Sequence, residues 1–218
     1  MESNKVKELQ DALCDIRKAH RLICSFQQRM LDLAQFIRMK LDMPSLCLYK
    51  LFSEPINPDP NKNEKVVLSG KMWAWDFLYS YQLEYDFETK KYGQYEYAIS
   101  LIQCLDTGFF DKEDDDKKYP DTFASEELAK SKLVFYVNRI QVNSEWKQWY
   151  KRHELFNDKR YMCKDFKKEV IDYPEDNEKV LLYSFPIERF IDEQSTIEAL
   201  QEFADYCNKE LKSNIKLI

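Results

Sequence analysis

Large apolar or aromatic residues occupy every odd-numbered position from Trp73 to Phe87, and mostly polar residues lie between them. Because the side chains of a β-strand alternate between two faces, this period of two predicts a half-buried strand with one aromatic face and one solvated face. The segment is much longer than a typical strand, so we expect a bulge or a bend in it. One wet face is typical of an antiparallel sheet whose dry face is covered by other elements.

A different period governs the start of the chain. There, mostly apolar residues recur in alternating steps of three and four, which is a heptad seam along one helix, and no proline or glycine interrupts it. The seam consists of Val6, Leu9, Leu13, Ile16, His20, Ile23, Gln27, Met30, Ala34, Ile37 and Leu41. A straight helix from Asn4 to Leu41 would be about 57 Å long, whereas a compact body of this chain length is about 44 Å across. We therefore expect residues 1–41 to form a long helix that kinks or projects from the body.

The remaining patterns predict more strands and a second major helix. Alternation resumes from Tyr95 after a turn at 90–94, which predicts a hairpin. Residues 133–142 are apolar on both sides, as in a central strand, and further strands are expected over 161–171 and 179–190. Pro186 places the last of these at an edge or a bulge. The residues Ser195 to Glu198 resemble a capping box, which starts a C-terminal helix.

Together these elements predict a single α+β domain over residues 1–218. Its sheet is antiparallel or mixed, with five to seven strands, and is covered by the long N-terminal helix and the C-terminal helix.

Composition removes several classes of protein. Only three glycines are present, so the glycine-rich loops that hold phosphates or dinucleotides cannot be formed, which excludes P-loop kinases and Rossmann dehydrogenases. The six cysteines are scattered without a CxxC pair, and only two histidines accompany them. We therefore expect reduced thiols, no metal site and no cofactor. No catalytic residue is assigned, and an enzyme is the less favoured interpretation.

Charge and hydropathy limit location and partners. A net charge of -6 argues against a surface that binds nucleic acid or anionic lipid over its whole extent. The sequence has no apolar stretch long enough to span a membrane, and its first residues lack the apolar core of a signal peptide. We expect a cytoplasmic protein that does not enter a membrane.

One segment is basic within this acidic chain. Residues 131–169 contain 10 basic and 5 acidic side chains, and several are interleaved with aromatic ones. Such a mixture can hold phosphates and stack on bases, which makes nucleic-acid candidates of Lys147, Lys151, Arg152, Lys159 and Arg160. In addition, Glu88, Thr89 and Lys90 are similar to the acid-x-Lys half of a restriction-type nuclease site. The alternative function is therefore a magnesium-dependent nuclease-like or nucleic-acid-binding protein.

The favoured function is a non-enzymatic protein-interaction or regulatory protein. We expect a protein partner, and a homodimer that forms as a coiled coil through the N-terminal helix, with the interaction carried by Leu9, Leu13, Ile16, His20, Ile23 and Gln27. An acidic inhibitor or immunity-type protein that masks a basic target would suit the net charge, because complementary potentials speed encounter.

Overall fold

The computed structural model describes residues 2–50, 82–110, 123–142 and 159–218. The helices are α1 Glu2–Lys40, α2 Thr107–Phe110, α3 Lys159–Met162 and α4 Glu193–Leu211. The strands are β1 Cys47–Lys50, β2 Gln82–Tyr92, β3 Tyr95–Cys104, β4 Lys132–Gln141, β5 Lys168–Tyr173 and β6 Glu178–Pro186. The part of the aromatic row over residues 73–81 and the nucleic-acid candidates Lys147, Lys151 and Arg152 lie outside the described residues.

The six described strands form one sheet in the order β1-β2-β3-β4-β6-β5. Every neighbouring pair is antiparallel. The predicted α+β class is therefore confirmed, and its sheet is antiparallel. Strand β4 lies between β3 and β6 and is buried over almost its whole length, as its apolar residues on both sides predicted.

The β2–β3 hairpin confirms the predicted return of the chain. Tyr92 pairs with Tyr95, which leaves a two-residue loop of Gly93 and Gln94. Gly93 has a φ of 62°. A positive φ at the first loop residue suits the turns that match the twist of the two strands, and glycine adopts it without steric cost.

We expect Gly93→Ala to lower the free energy of unfolding by about 1 kcal/mol, because an L side chain is strained at this backbone conformation. A new methyl group would meet no other atom within 4 Å, so the loss would report the backbone alone. Urea denaturation measures it, with Gln94→Ala as the control in the same turn. Unchanged stability would contradict the assigned conformation.

The predicted irregularity in the long strand is a β-bulge. The register of β2 against β3 shifts between Asp86 and Thr89, and Glu88 takes a φ of 60°. The backbone N–H of Glu88 donates to Oδ1 of Asp86 at 2.8 Å, which satisfies a group that the bulge removes from the ladder.

The main core lies between one face of the sheet and the two long helices. Leu83, Tyr85 and Phe87 of the odd-numbered row point into it and are buried. Strands β3, β4 and β6 add buried aromatic and aliphatic side chains from the same face, and α1 and α4 cover them. This is the buried aromatic face that the alternation predicted, and the helices cover it.

The expectation of a solvated second face is wrong for the centre of the sheet. Glu84, on the even-numbered face of β2, is only 2% exposed. A second cluster covers this face with side chains of α3 and the strands: Ile102, Cys104, Val134, Tyr136, Tyr161, Met162, Val180 and Leu182. A strand that is apolar on both sides must be covered on both faces of its sheet. The sequence of β4 therefore indicated a second buried face, whereas the alternation in β2 indicated only one.

Two strand predictions are also corrected. Residues 161–167 do not extend the strand that follows them, because α3 reaches Met162 and β5 starts only at Lys168. Pro186 does not place β6 at an edge, since β6 lies between β4 and β5 and Pro186 is its last residue. A proline at the strand end costs the ladder little, because pairing stops there.

The C-terminal helix begins before the predicted capping box. Asp192 is the N-cap, and its side chain accepts a hydrogen bond from the backbone N–H of Ser195 at 2.8 Å. This hydrogen bond lowers the pKa of Asp192, because it favours the charged carboxylate. Ser195 therefore lies within the first turn of α4, and the N-cap role that we predicted for Ser195 belongs to Asp192.

Candidate protein-interaction surface

The seam of α1 is divided into a docked part and an exposed part. In the second half of the helix, the seam residues Met30, Ala34, Ile37 and Leu41 are buried in the main core. Phe26 and Leu33 pack against the same cluster from beside the seam. This half of α1 therefore covers the sheet, as the wider apolar face of these residues requires.

Polar contacts fix the position of the docked half. Arg29 Nη2 donates to the carbonyl oxygen of Ile191 at 2.9 Å, which ties α1 to the segment before α4. Arg38 Nη1 donates to the carbonyl oxygen of Met43 at 2.7 Å, and the backbone N–H of Ile218 donates to the carbonyl oxygen of Lys40 at 3.1 Å. These hydrogen bonds lie on both sides of the buried stripe of α1, so they fix the orientation of the docked half relative to the sheet and α4.

The first half of α1 continues the same stripe without burying it. Val6, Leu9, Leu13 and Ile16 keep 56%, 60%, 42% and 52% of their surface exposed. His20 is exposed as well, and Ile23 is half-buried. We call the residues Val6, Leu9, Leu13, Ile16, His20 and Ile23 the exposed seam. A contiguous, largely apolar row of this kind is uncommon on a protein surface, which makes the exposed seam a candidate interaction site.

Gln27 stands where the exposed seam meets the body. It is half-buried, and its Nε2 atom is buried with no hydrogen-bond acceptor in the part of the chain that the structure describes. Of the six predicted interaction residues, Gln27 and Ile23 thus lie at this junction, whereas Leu9, Leu13, Ile16 and His20 lie in the open. The prediction omitted Val6, although the heptad spacing includes it.

The exposed half carries charges of both signs away from its apolar row. Residues 5–25 include five basic side chains and three acidic ones. Lys18 and Asp15 form an ion pair of 2.9 Å on the outer surface, where both side chains are largely exposed. Four of the six positions that flank the exposed seam are uncharged and two are cations: Lys5, Gln10, Ala12, Arg17, Ala19 and Cys24. A second helix could approach this stripe without meeting a concentration of one charge.

The nucleic-acid alternative is only partly represented among the described residues. Lys147, Lys151 and Arg152 lie outside them, and Lys159 is the first residue of α3. Arg160 is exposed, with its guanidinium 5.2 Å from the ring centroid of Tyr161. Only Lys159 and Arg160 of the five predicted cations therefore lie within the described residues.

The acid-x-Lys pattern occurs at the bulge of β2. Glu88 is exposed there, and Lys90 Nζ donates to the carbonyl oxygen of Asp42 at 2.7 Å and also contacts the Asp42 carboxylate. Lys90 thus joins β2 to the end of α1. Across the ranges that the structure describes, no three His, Cys, Asp or Glu side chains are grouped as metal ligands.

Among the helices of the described ranges, none has an apolar stretch long enough to cross a bilayer.

Comparison with known proteins gives one match. A family model described as PM0109 matches residues 6–212, which include the exposed seam, the sheet and α4. No curated protein and no solved structure matches the chain.

Proposed function

The chain belongs to the PM0109 family, and we propose that it is a protein-interaction protein that self-associates through the exposed seam of α1. One observation carries the proposal. A single uninterrupted heptad pattern is buried from Met30 onward and exposed from Val6 to Ile16, so half of a helix built for packing lacks a cover among the described residues.

The helical conformation of the exposed half of α1 supports this function. An isolated helix shorter than about 12–15 residues is only marginally stable in water, because its first turn is costly to form. Here the docked half of α1 supplies that nucleus, and the exposed half extends it. A partner therefore meets a preformed helix and loses less ordering entropy on binding.

A second copy of the chain is the partner that the surface fits best. The exposed seam offers the residue types that coiled-coil cores use, and the identical surface on another copy offers the same. The mixed charges of residues 5–25 impose no strong repulsion between two copies. The acidic-inhibitor hypothesis and the nuclease alternative stay predictions, because no contact among the described residues points to their targets.

We expect Ile16→Asp to weaken self-association by at least about 100-fold, since a carboxylate in a coiled-coil seam is buried without a partner. Sedimentation equilibrium over a range of concentrations measures it. The unmodified chain should have a mass of twice its 26.3 kDa at high micromolar concentration, and the variant should be monomeric.

Leu22→Asp is the matched control. Leu22 is also apolar and is 72% exposed, but it lies off the seam, so its replacement should leave the dimer intact. Circular dichroism checks that both variants keep their helix. A monomeric unmodified chain would contradict the proposal, and so would equal effects of the two substitutions on the mass.

A further inference from the structure

We infer that the two copies pair their exposed seams in antiparallel orientation. This inference rests on the proposed self-association and adds its geometry. Two features of α1 carry it: the register of the seam and the face on which the body packs.

The register of the exposed seam is symmetric about a point midway between Leu13 and Ile16. When one helix is reversed about that point, Val6 lies opposite the partner's Ile23, Leu9 opposite the partner's His20, and Leu13 opposite the partner's Ile16. The three layers and their symmetry mates use all six positions of the exposed seam. Each layer joins one residue from each of the two seam positions of the heptad, as antiparallel packing requires.

A parallel pair is opposed by the position of the body. Met30 and Ile37 lie on the same stripe as the exposed seam, and each chain's body packs on that stripe. In a parallel pair both bodies would lie at the same end and between the two helices. Coiled-coil helices are only about 8–10 Å apart, which leaves no room for two bodies there. Reversing one helix moves the bodies to opposite ends.

The flanking positions are compatible with the reversed pair. In this register Ala12 lies beside the partner's Ala19, which allows close approach of the two backbones, and Gln10 lies beside the partner's Arg17. No like charges are brought together at these positions. His20 packs against the partner's Leu9, whereas in-register parallel helices would stack the two histidines on each other.

Cysteine cross-linking tests the orientation. Two variants, Leu9→Cys and His20→Cys, are made in the full chain with Cys14→Ser and Cys24→Ser, which removes the native thiols of the exposed half. Oxidised glutathione is added to each variant alone and to an equimolar mixture of the two variants. Residues 9 and 20 are about 16 Å apart along a helix, and a disulfide requires Cα atoms within about 7 Å, so each pairing reports one orientation.

We expect a disulfide-linked dimer in the mixture, up to the statistical share of mixed pairs, and none from either variant alone. Linked dimers of Leu9→Cys alone would overturn the antiparallel inference while keeping the proposed dimer. No linked dimer in any sample, together with a monomeric mass before oxidation, would overturn both. The oxidised background protein is the control for the remaining native thiols.

Discussion

Replacing Phe135 with alanine is expected to lower the free energy of unfolding by about 4 kcal/mol, because the substitution leaves a large cavity at the centre of the main core. Phe135 lies in the middle of β4, where Leu101 and Tyr183 are its neighbours on the adjacent strands. Its ring centroid is 4.4 Å from that of Phe203 on α4 and 5.8 Å from that of Phe185 on β6.

Strands on both sides and a helix above hold the walls of this cavity, so they cannot collapse into it at little cost. Urea denaturation followed by far-ultraviolet circular dichroism measures the loss. Ile191→Ala is the control, since Ile191 is largely exposed and its truncation should cost less than about 0.5 kcal/mol. Equal losses in the two variants would contradict the position of Phe135 in the core.

Ile37→Ala is expected to cost about 3 kcal/mol of unfolding free energy, by the same cavity argument applied to the docked half of α1. Ile37 is fully buried in the main core, between the buried seam residues Ala34 and Leu41. Loss of its side chain weakens the packing of α1 on the body, and the helix covers one face of the sheet. The effect should therefore appear as global destabilisation.

The same substitution in the exposed half provides the comparison. Ile16→Ala changes an identical residue on the same seam of the same helix, and it should cost less than about 0.5 kcal/mol in the monomer. Both variants are measured in a Leu9→Asp background, which removes any contribution of the dimer to stability. A large loss for Ile16→Ala in that background would show that the exposed seam is covered within its own chain.

These two experiments separate roles that the sequence presents as one. Ile16 and Ile37 occupy the same heptad position, and the heptad pattern alone does not reveal which of them contacts the body. The additional apolar residues Phe26 and Leu33 widen the apolar face of the second half, and this is the half that packs in the main core. The register of the exposed half is readable from sequence, whereas its exposure required the structure.

The strands show a similar division. The odd-numbered row of β2 and the turn at Gly93 followed from alternation and from the one glycine between two alternating runs. The burial of Glu84 did not follow, because its polarity indicated a solvated face. The cover of that face comes from α3, whose residues Tyr161 and Met162 are distant in sequence and were assigned to a strand.

The order of the strands also depended on tertiary contacts. Pro186 indicated an edge, yet β6 lies inside the sheet and β5 takes the edge in the described part of the chain. A proline forbids a backbone hydrogen bond only at its own position, so its effect depends on where pairing ends. The cap of α4 differs in the same way, since both Asp192 and Ser195 are suitable residues and backbone geometry selects Asp192.

The sequence by itself determined the periods: a heptad helix, an aromatic hairpin, a central strand and a C-terminal helix, because each period reflects the geometry of one local element. The tertiary structure decided which faces are covered, which strand lies at the edge, and where the seam of α1 leaves the body. Those outcomes depend on contacts between segments far apart in the chain, and a local sequence pattern does not show which segment covers a given face of a helix or a strand.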